Sequence, residues 1–198
     1  MKNFLGKTMA ALLIGSAANA ADIQLPAPQN EGGMPLMQAL NERKSIRQFG
    51  QRPIDMQTLS NILWAAYGVN RPDGGYRTIP TAKNERDLTV YITTPEGVWR
   101  YEAETNLLRE ISQTSLLDMF KLQDYMQDAQ LVLIYTGSTA DYAAMHAGSA
   151  YQNVGLYAAS AGMSNVVRGY FQREEVQNAL NLPYGQRVII SQVIGGAD

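Results

Sequence analysis

Residues 130–162 constrain the fold more than any other stretch. Gln130-Leu131-Val132-Leu133-Ile134-Tyr135 is a near-continuous apolar run of strand length, as expected for a central strand covered on both faces. Asp141 can then cap a long helix running to Ala161, with Gly162 just past its end. That helix carries Ala143, Ala144, Ala147, Gly148, Ala150, Gly155, Ala158, Ala159 and Ser160. Such small residues let another backbone approach closely, either in the core or across a subunit interface.

The flanking segments alternate between both kinds of structure. Pro35 to Glu42 supports a short helix with a partial apolar face of Met34, Leu36, Met37 and Leu40. Asp55 can cap a second helix whose Leu59, Ile62, Leu63 and Ala66 share one stripe, and Gly68 ends it. Residues 69–86 read as a long polar loop with two prolines and Gly74-Gly75. Leu88 to Thr94, the turn Pro95-Glu96-Gly97, and Val98 to Glu102 read as a β-hairpin. A mixed helical stretch covers Ser115 to Gln127, a strand covers Ser164 to Tyr170, a helix covers Arg173 to Leu180, and a last strand covers Arg187 to Ile194. Helices and strands mix without strict βαβ alternation, so the expected class is α+β: an antiparallel or mixed central sheet wrapped by helices.

The first twenty residues stand apart from this fold. Lys2 and Lys7 precede an apolar run through Ile14, followed by Ala18-Asn19-Ala20. That is the order of a secretory signal peptide cleaved before Ala21, and the run is well short of the ~20 residues a membrane span needs. A soluble periplasmic or secreted protein is expected, with no membrane insertion after cleavage. Residues 21–33 read as a flexible N-terminal arm, and 34–198 as one domain. The chain contains no cysteine, which excludes a lipid-modified cysteine, disulfides and cysteine-ligated clusters. Loss of Lys2 and Lys7 takes the formal charge from −2 to −4, which argues against a nucleic-acid partner. With one histidine, His146, and no GxSxG elbow, a serine–histidine triad lacks support. His146 reads as a packed or solvated helix residue, and no metal site is expected.

Any anion site must therefore be local, and one stretch offers it. Arg43-Lys44-Ser45-Ile46-Arg47-Gln48-Phe49 places two guanidiniums and a hydroxyl at alternate positions. If extended, it turns residues 43, 45 and 47 one way and leaves Ile46 and Phe49 free to face a core. Arginine forks match phosphate oxygens, and serine adds a short donor between them.

In order along the chain, this heptapeptide resembles the RxSxRxF motif of the nitroreductase family. Leu59 to Gly68 is similar to the family's LxxLLWAAxG helix, Ile79-Pro80-Thr81-Ala82-Lys83-Asn84 to its PSxxN loop, and Gln152-Asn153 through Gly162 to its QNxxLxAxxxGL helix. Asp128-Ala129 before the central strand and Gly169 after the next strand fit as well. The resemblance runs from about Gln38 to the C-terminus and lies closest to the SagB-type dehydrogenase branch.

The resemblance implies a nitroreductase-like fold, a homodimer with FMN at its interface, and oxidoreductase chemistry on a small-molecule substrate through flavin N5. By the same matching, Arg43 and Ser45 hold the phosphate, and Arg47 sits nearer the pyrimidine edge. Pro80, Thr81, Ala82 and Asn84 approach the ring from the partner subunit. Gln123 is a further amide contact, and the backbone of Arg168 and Gly169 lies near N5. Arg86 stands where the family loop continues with glutamine, and Thr81 replaces the more usual serine. An alternative is an exported flavin-binding or flavin-processing protein that turns over no outside substrate, with Arg86 and the 69–86 loop closing the ring face.

Overall fold

The computed structural model describes residues 21–50, 52–138 and 141–197; the expected signal peptide lies outside them. The elements in chain order are β1 (Ile23–Gln24), α1 (Leu36–Glu42), α2 (Met56–Tyr67), β2 (Val69–Arg71), β3 (Tyr76–Arg77), β4 (Thr89–Thr94), β5 (Gly97–Glu102), β6 (Leu107–Ser112), β7 (Leu131–Ser138), α3 (Asp141–Ser160), β8 (Met163–Arg168), α4 (Arg173–Ala179) and β9 (Gln186–Ala197). Seven strands form one sheet in the order β1-β6-β5-β4-β7-β9-β8, and every ladder in it is antiparallel. This is the α+β architecture the sequence implies.

Strand β7 lies inside the sheet, between β4 and β9, and both of its faces are apolar. Leu131, Leu133 and Tyr135 join one core with Leu59, Ile62 and Leu63 of α2 and Ala147, Ala150 and Val154 of α3. Val132 and Ile134 join a second core with Phe120, Met126, Phe171 and Val176 on the opposite face. Each fully buried aliphatic side chain contributes about 1.5–3 kcal/mol before entropy is counted. The small residues of α3 let it lie close on the sheet beside α2.

Local signals explain the helix ends. Asp55 accepts a hydrogen bond from the Thr58 N–H at 2.7 Å, the expected cap. Gly162 ends α3 with φ +65°, a left-handed terminus that glycine adopts without strain. Gly68 stops α2 for a different reason: its φ of −66° is ordinary, but a Cβ there would lie 2.2 Å from Cδ1 of Trp64. The glycine makes room for the indole, whose Nε1–H donates to the Val69 carbonyl at 3.0 Å.

Three expectations need correction. Residues 69–86 do not form a structureless loop: β2 and β3 pair as a small second sheet with Val69 opposite Arg77. The pattern is hidden because the inward residue is an arginine. Arg77 is buried, lies 4.9 Å over the Tyr67 ring, and pairs with Glu104. The arm at 21–33 has no core of its own but borrows the domain's: β1 pairs with β6, Leu25 is buried in the first core, and the Ser60 hydroxyl donates to the Pro26 carbonyl at 2.6 Å. It is tied down there rather than flexible. The stretch 115–127 holds only two 3-10 turns, at Leu117–Met119 and Asp124–Met126. Strand β6, unread in the sequence, extends the hairpin into a meander.

Candidate functional site

The 43–49 segment is extended and lies beside the sheet edge made by β8 and β9. The Ile46 N–H donates to the Asn165 carbonyl at 2.8 Å, and the Ser164 hydroxyl donates to the Gln48 carbonyl at 2.5 Å. Gly50 forms an antiparallel bridge with Gly196. A Cβ on Gly196 would sit 1.9 Å from the Arg52 carbonyl oxygen, so only glycine allows this approach. With Phe49 buried, the segment is held at its apolar end and by its backbone.

That attachment leaves Lys44, Ser45, Arg47 and Gln48 exposed, while Arg43, Ile46 and Phe49 turn inward at every third position rather than by the expected two-residue alternation. Ser45 and Arg47 are exposed, and Arg43 is half-buried against α3, where its Cδ and the Asn165 Nδ2 both lie 3.5 Å from the space a Cβ on Gly155 would fill. Among the described residues no carboxylate pairs with Arg43 or Arg47. Unpaired guanidiniums on a rigid backbone are what an anionic ligand requires.

A second cluster adjoins Arg47. Its guanidinium lies 5.9 Å from the Tyr125 ring centroid, and that of Arg168 lies 5.3 Å from the same ring. Arg168 is only 5% exposed. It donates to the carbonyls of Phe120 and Tyr170, each at 2.9 Å, and to the Gln123 Oε1 at 2.6 Å. Its buried Nε has no protein partner. Gln123 also accepts from the Tyr125 hydroxyl at 3.0 Å. With its oxygen doubly engaged, this exposed amide offers a ligand its NH₂ donors. Gly169 is exposed, and a Cβ there would meet only Ile190, at 3.7 Å. Arg47, Gln123 and the Arg168-Gly169 turn thus form one corner, with Arg43 and Ser45 further along the same edge.

The Pro80–Asn84 loop lies elsewhere. It is anchored to the first half of α3, where the Ala82 N–H donates to Nε2 of His146 at 2.8 Å. Arg43 meets α3 at Gly155, nine positions later, or about 13 Å along the helix at 1.5 Å per residue. Pro80 and Asn84 are exposed, and Thr81 and Ala82 are half-buried. Within one chain, then, the loop and the arginine edge do not converge. Arg86 donates to the Gly74 carbonyl at 2.6 Å, clasping the β2–β3 tip.

Sequence reasoning placed these residues but missed what holds them. His146 is buried, and its partner Asp87 sits in a loop without a motif. The buried chain Tyr135–Gln192–Asn165 lies under the 43–49 attachment; its polar residues interrupt otherwise apolar strands, and that was the available signal. Titration is perturbed in the core. Burial pushes the Tyr67, Tyr101 and Tyr135 hydroxyls above the ordinary tyrosine range. Among the described residues no group of acidic, histidine or cysteine side chains is placed to hold a metal, and no helix is long and apolar enough to cross a membrane.

Known proteins share this fold. Residues 40–196 match the nitroreductase family. A nitroreductase of Methanocaldococcus jannaschii is 30% identical over 183 residues, covering 81% of this chain and 90% of that protein. A nitroreductase structure from Ralstonia eutropha superposes with a TM-score of 0.85 at 36% identity, covering 92% of each chain. One from Desulfovibrio desulfuricans, in complex with FMN, superposes at 0.61 with 17% identity over 84% of this chain and 88% of that one. Members of this family are generally flavin-dependent oxidoreductases. On sequence and fold alike, the chain belongs to the nitroreductase family.

Proposed function

We propose that the protein is an exported FMN-dependent oxidoreductase of the SagB-type branch, working as a homodimer on a small-molecule substrate. The observation that carries this is the arginine edge: Arg43 and Arg47 on a backbone fixed by β8, without carboxylate partners, beside an Arg168 whose buried Nε lacks one. These donors fit a phosphate-bearing ligand with an electron-accepting ring. The FMN bound by the Desulfovibrio relative supports the choice of flavin.

Bound FMN would supply two-electron oxidation and reduction at N5. Arg43 and Ser45 would hold the phosphate, the arginine through charge-assisted hydrogen bonds. Arg47 would place positive charge near the pyrimidine edge, where a guanidinium would favour flavin reduction by offsetting the negative charge it brings. Gln123 donates from an amide that Arg168 keeps oriented, and the Arg168-Gly169 backbone leaves an open approach. Pro80, Thr81, Ala82 and Asn84 complete the site from the partner subunit. Two observations support the dimer. The loop and the arginine edge lie apart within one chain, and exposed Leu36, Met37 and Leu40 on α1 and Met145 on α3 leave apolar surface to cover.

The leader at 1–20 supports a periplasmic location. That location separates the protein from cytoplasmic nicotinamides, so the electron donor is of another class, or the enzyme oxidises its substrate and passes electrons onward. The non-turnover alternative has Arg86 closing the ring face, but Arg86 is engaged with Gly74, and we retain the enzymatic reading. The test is to load the protein with FMN, reduce it chemically and mix it with a quinone or a nitroaromatic. Rapid reoxidation by either one is expected. A flavin that neither compound reoxidises would overturn turnover, and failure to bind FMN would overturn the whole reading.

A further inference from the structure

His146 does not take part in the arginine edge, yet it makes the best-defined polar contacts of α3. Its Nδ1 lies 2.8 Å from Oδ1 of Asp87, and its Nε2 accepts the Ala82 N–H at 2.8 Å. The other Asp87 oxygen accepts from the Ser138 hydroxyl at 2.9 Å. The imidazole is 3% exposed. A backbone N–H can only donate, so Nε2 must carry the lone pair and Nδ1 the proton. Asp87 fixes that tautomer.

The loop it grips resists its own shape. Lys83 and Asn84 are consecutive non-glycine residues at φ +53° and +57°, a left-handed conformation that costs energy in each. The turn closes on itself through Asn84 N–H to the Thr81 carbonyl and Glu85 N–H to the Ala82 carbonyl, at 3.2 and 2.8 Å. One helical turn before His146, Tyr142 lies with its ring 5.6 Å from the Lys83 Nζ, so α3 holds the loop at two adjacent points. We propose that His146 is a positioning residue: with its tautomer set by Asp87, it pins Ala82 and so holds the strained 80–84 loop in the shape that meets the flavin. This rests on the FMN reading, because the loop's ligand comes from it. The pinning itself does not.

Two substitutions separate pinning from mere filling of a polar cavity. His146→Asn puts its amide near the position of Nδ1, where it keeps Asp87 but cannot reach Ala82. His146→Gln carries its oxygen out to the position of Nε2 and restores an acceptor for Ala82. In the FMN-free protein, amide exchange at Ala82 is expected to speed at least tenfold in His146→Asn and to return towards wild type in His146→Gln, with Val90 and Leu133 in the sheet unchanged in both. FMN dissociation constants should follow the same order, with Asn weaker by tenfold or more and Gln within a few-fold of wild type. Unchanged Ala82 exchange in His146→Asn, or Asn and Gln variants that behave alike, would overturn the pinning. Altered exchange with equal FMN affinity would overturn its link to the flavin. A wild-type protein that binds no FMN would overturn the functional reading and that link together, while the exchange pattern would still decide the pinning.

Discussion

Replacing Gln192 with leucine tests how the core supports the arginine edge. Gln192 is fully buried; its Oε1 accepts from the Tyr135 hydroxyl at 2.6 Å, and its Nε2 donates to Asn165 Oδ1 at 2.7 Å and to the Tyr151 carbonyl at 3.1 Å. Leucine leaves two groups orphaned, the Tyr135 hydroxyl and the Asn165 side-chain oxygen, at about 1–3 kcal/mol each. The Tyr151 carbonyl keeps its donor within α3 and adds little. Leucine returns about 1–2 kcal/mol through apolar burial, so at the middle of these ranges the net loss is about 2.5 kcal/mol. For a domain of this size that is a fall in Tm of about 5–10 °C. Urea unfolding of Gln192→Leu, Tyr135→Phe and the double variant measures it. Because the double variant removes both members of the shortest bond, its cost should fall short of the sum by about 1–2 kcal/mol. A Gln192→Leu loss under about 0.5 kcal/mol, or strict additivity, would refute the view that this chain of amides is a satisfied network whose loss strands its partners.

Other outcomes follow from the same contacts. Gly196→Ala should drive the Arg52 carbonyl off β9 and loosen the 43–49 segment, weakening FMN binding more than tenfold while the sheet's far-UV circular dichroism persists. Arg43→Ala should weaken FMN binding by about 10–100-fold through loss of a charge-assisted contact, read by quenching of flavin fluorescence; no change would remove Arg43 from the site. Arg47→Ala should lower the midpoint potential of bound FMN by about 20–40 mV, the equivalent of roughly 1–2 kcal/mol in a two-electron couple, read by spectroelectrochemistry. For Glu104, burial pushes the carboxyl up, but the Arg77 hydrogen bond and charge outweigh it and hold it below the usual range. Its stabilising contribution is therefore present above the ordinary glutamate pKa and lost as pH falls through the lowered value. Acid should loosen the β2–β3 sheet by proteolysis, and Glu104→Gln should flatten that dependence.

Much of the fold was legible because it is written in apolar periodicity. The 130–135 run specified a central strand, the Leu59–Ala66 stripe specified α2, and Asp55 marked its start. The elements that escaped are held by polar or borrowed contacts. Residue pair Val69–Arg77 hides a β pair because the inward member is a guanidinium, and β1 becomes a strand only when β6 presents its edge. Within the site, the spacing of Arg43, Ser45 and Arg47 suggested a two-residue alternation, but the backbone attachment to β8 turns every third residue inward, Arg43, Ile46 and Phe49, and leaves Lys44 and Gln48 as exposed as Ser45 and Arg47. The orientation of Gln123 by Arg168 was not, because those residues are 45 positions apart and meet only after β8 is placed. His146 read as a packed or solvated helix residue; it is packed, and its hold on Ala82 depends on a loop 64 positions away.

The central claim is that the arginine edge and a partner's 80–84 loop hold FMN, and one measurement addresses it most directly. The chain from Ala21 onward, purified and incubated with FMN, is to be passed over a sizing column with absorbance and light-scattering detection, and the released cofactor weighed by mass spectrometry. A yellow dimer carrying FMN at about one per chain is expected, by the two-site arrangement of the proposed interface. A colourless protein, or a monomer that retains FMN as firmly as the dimer, would contradict it.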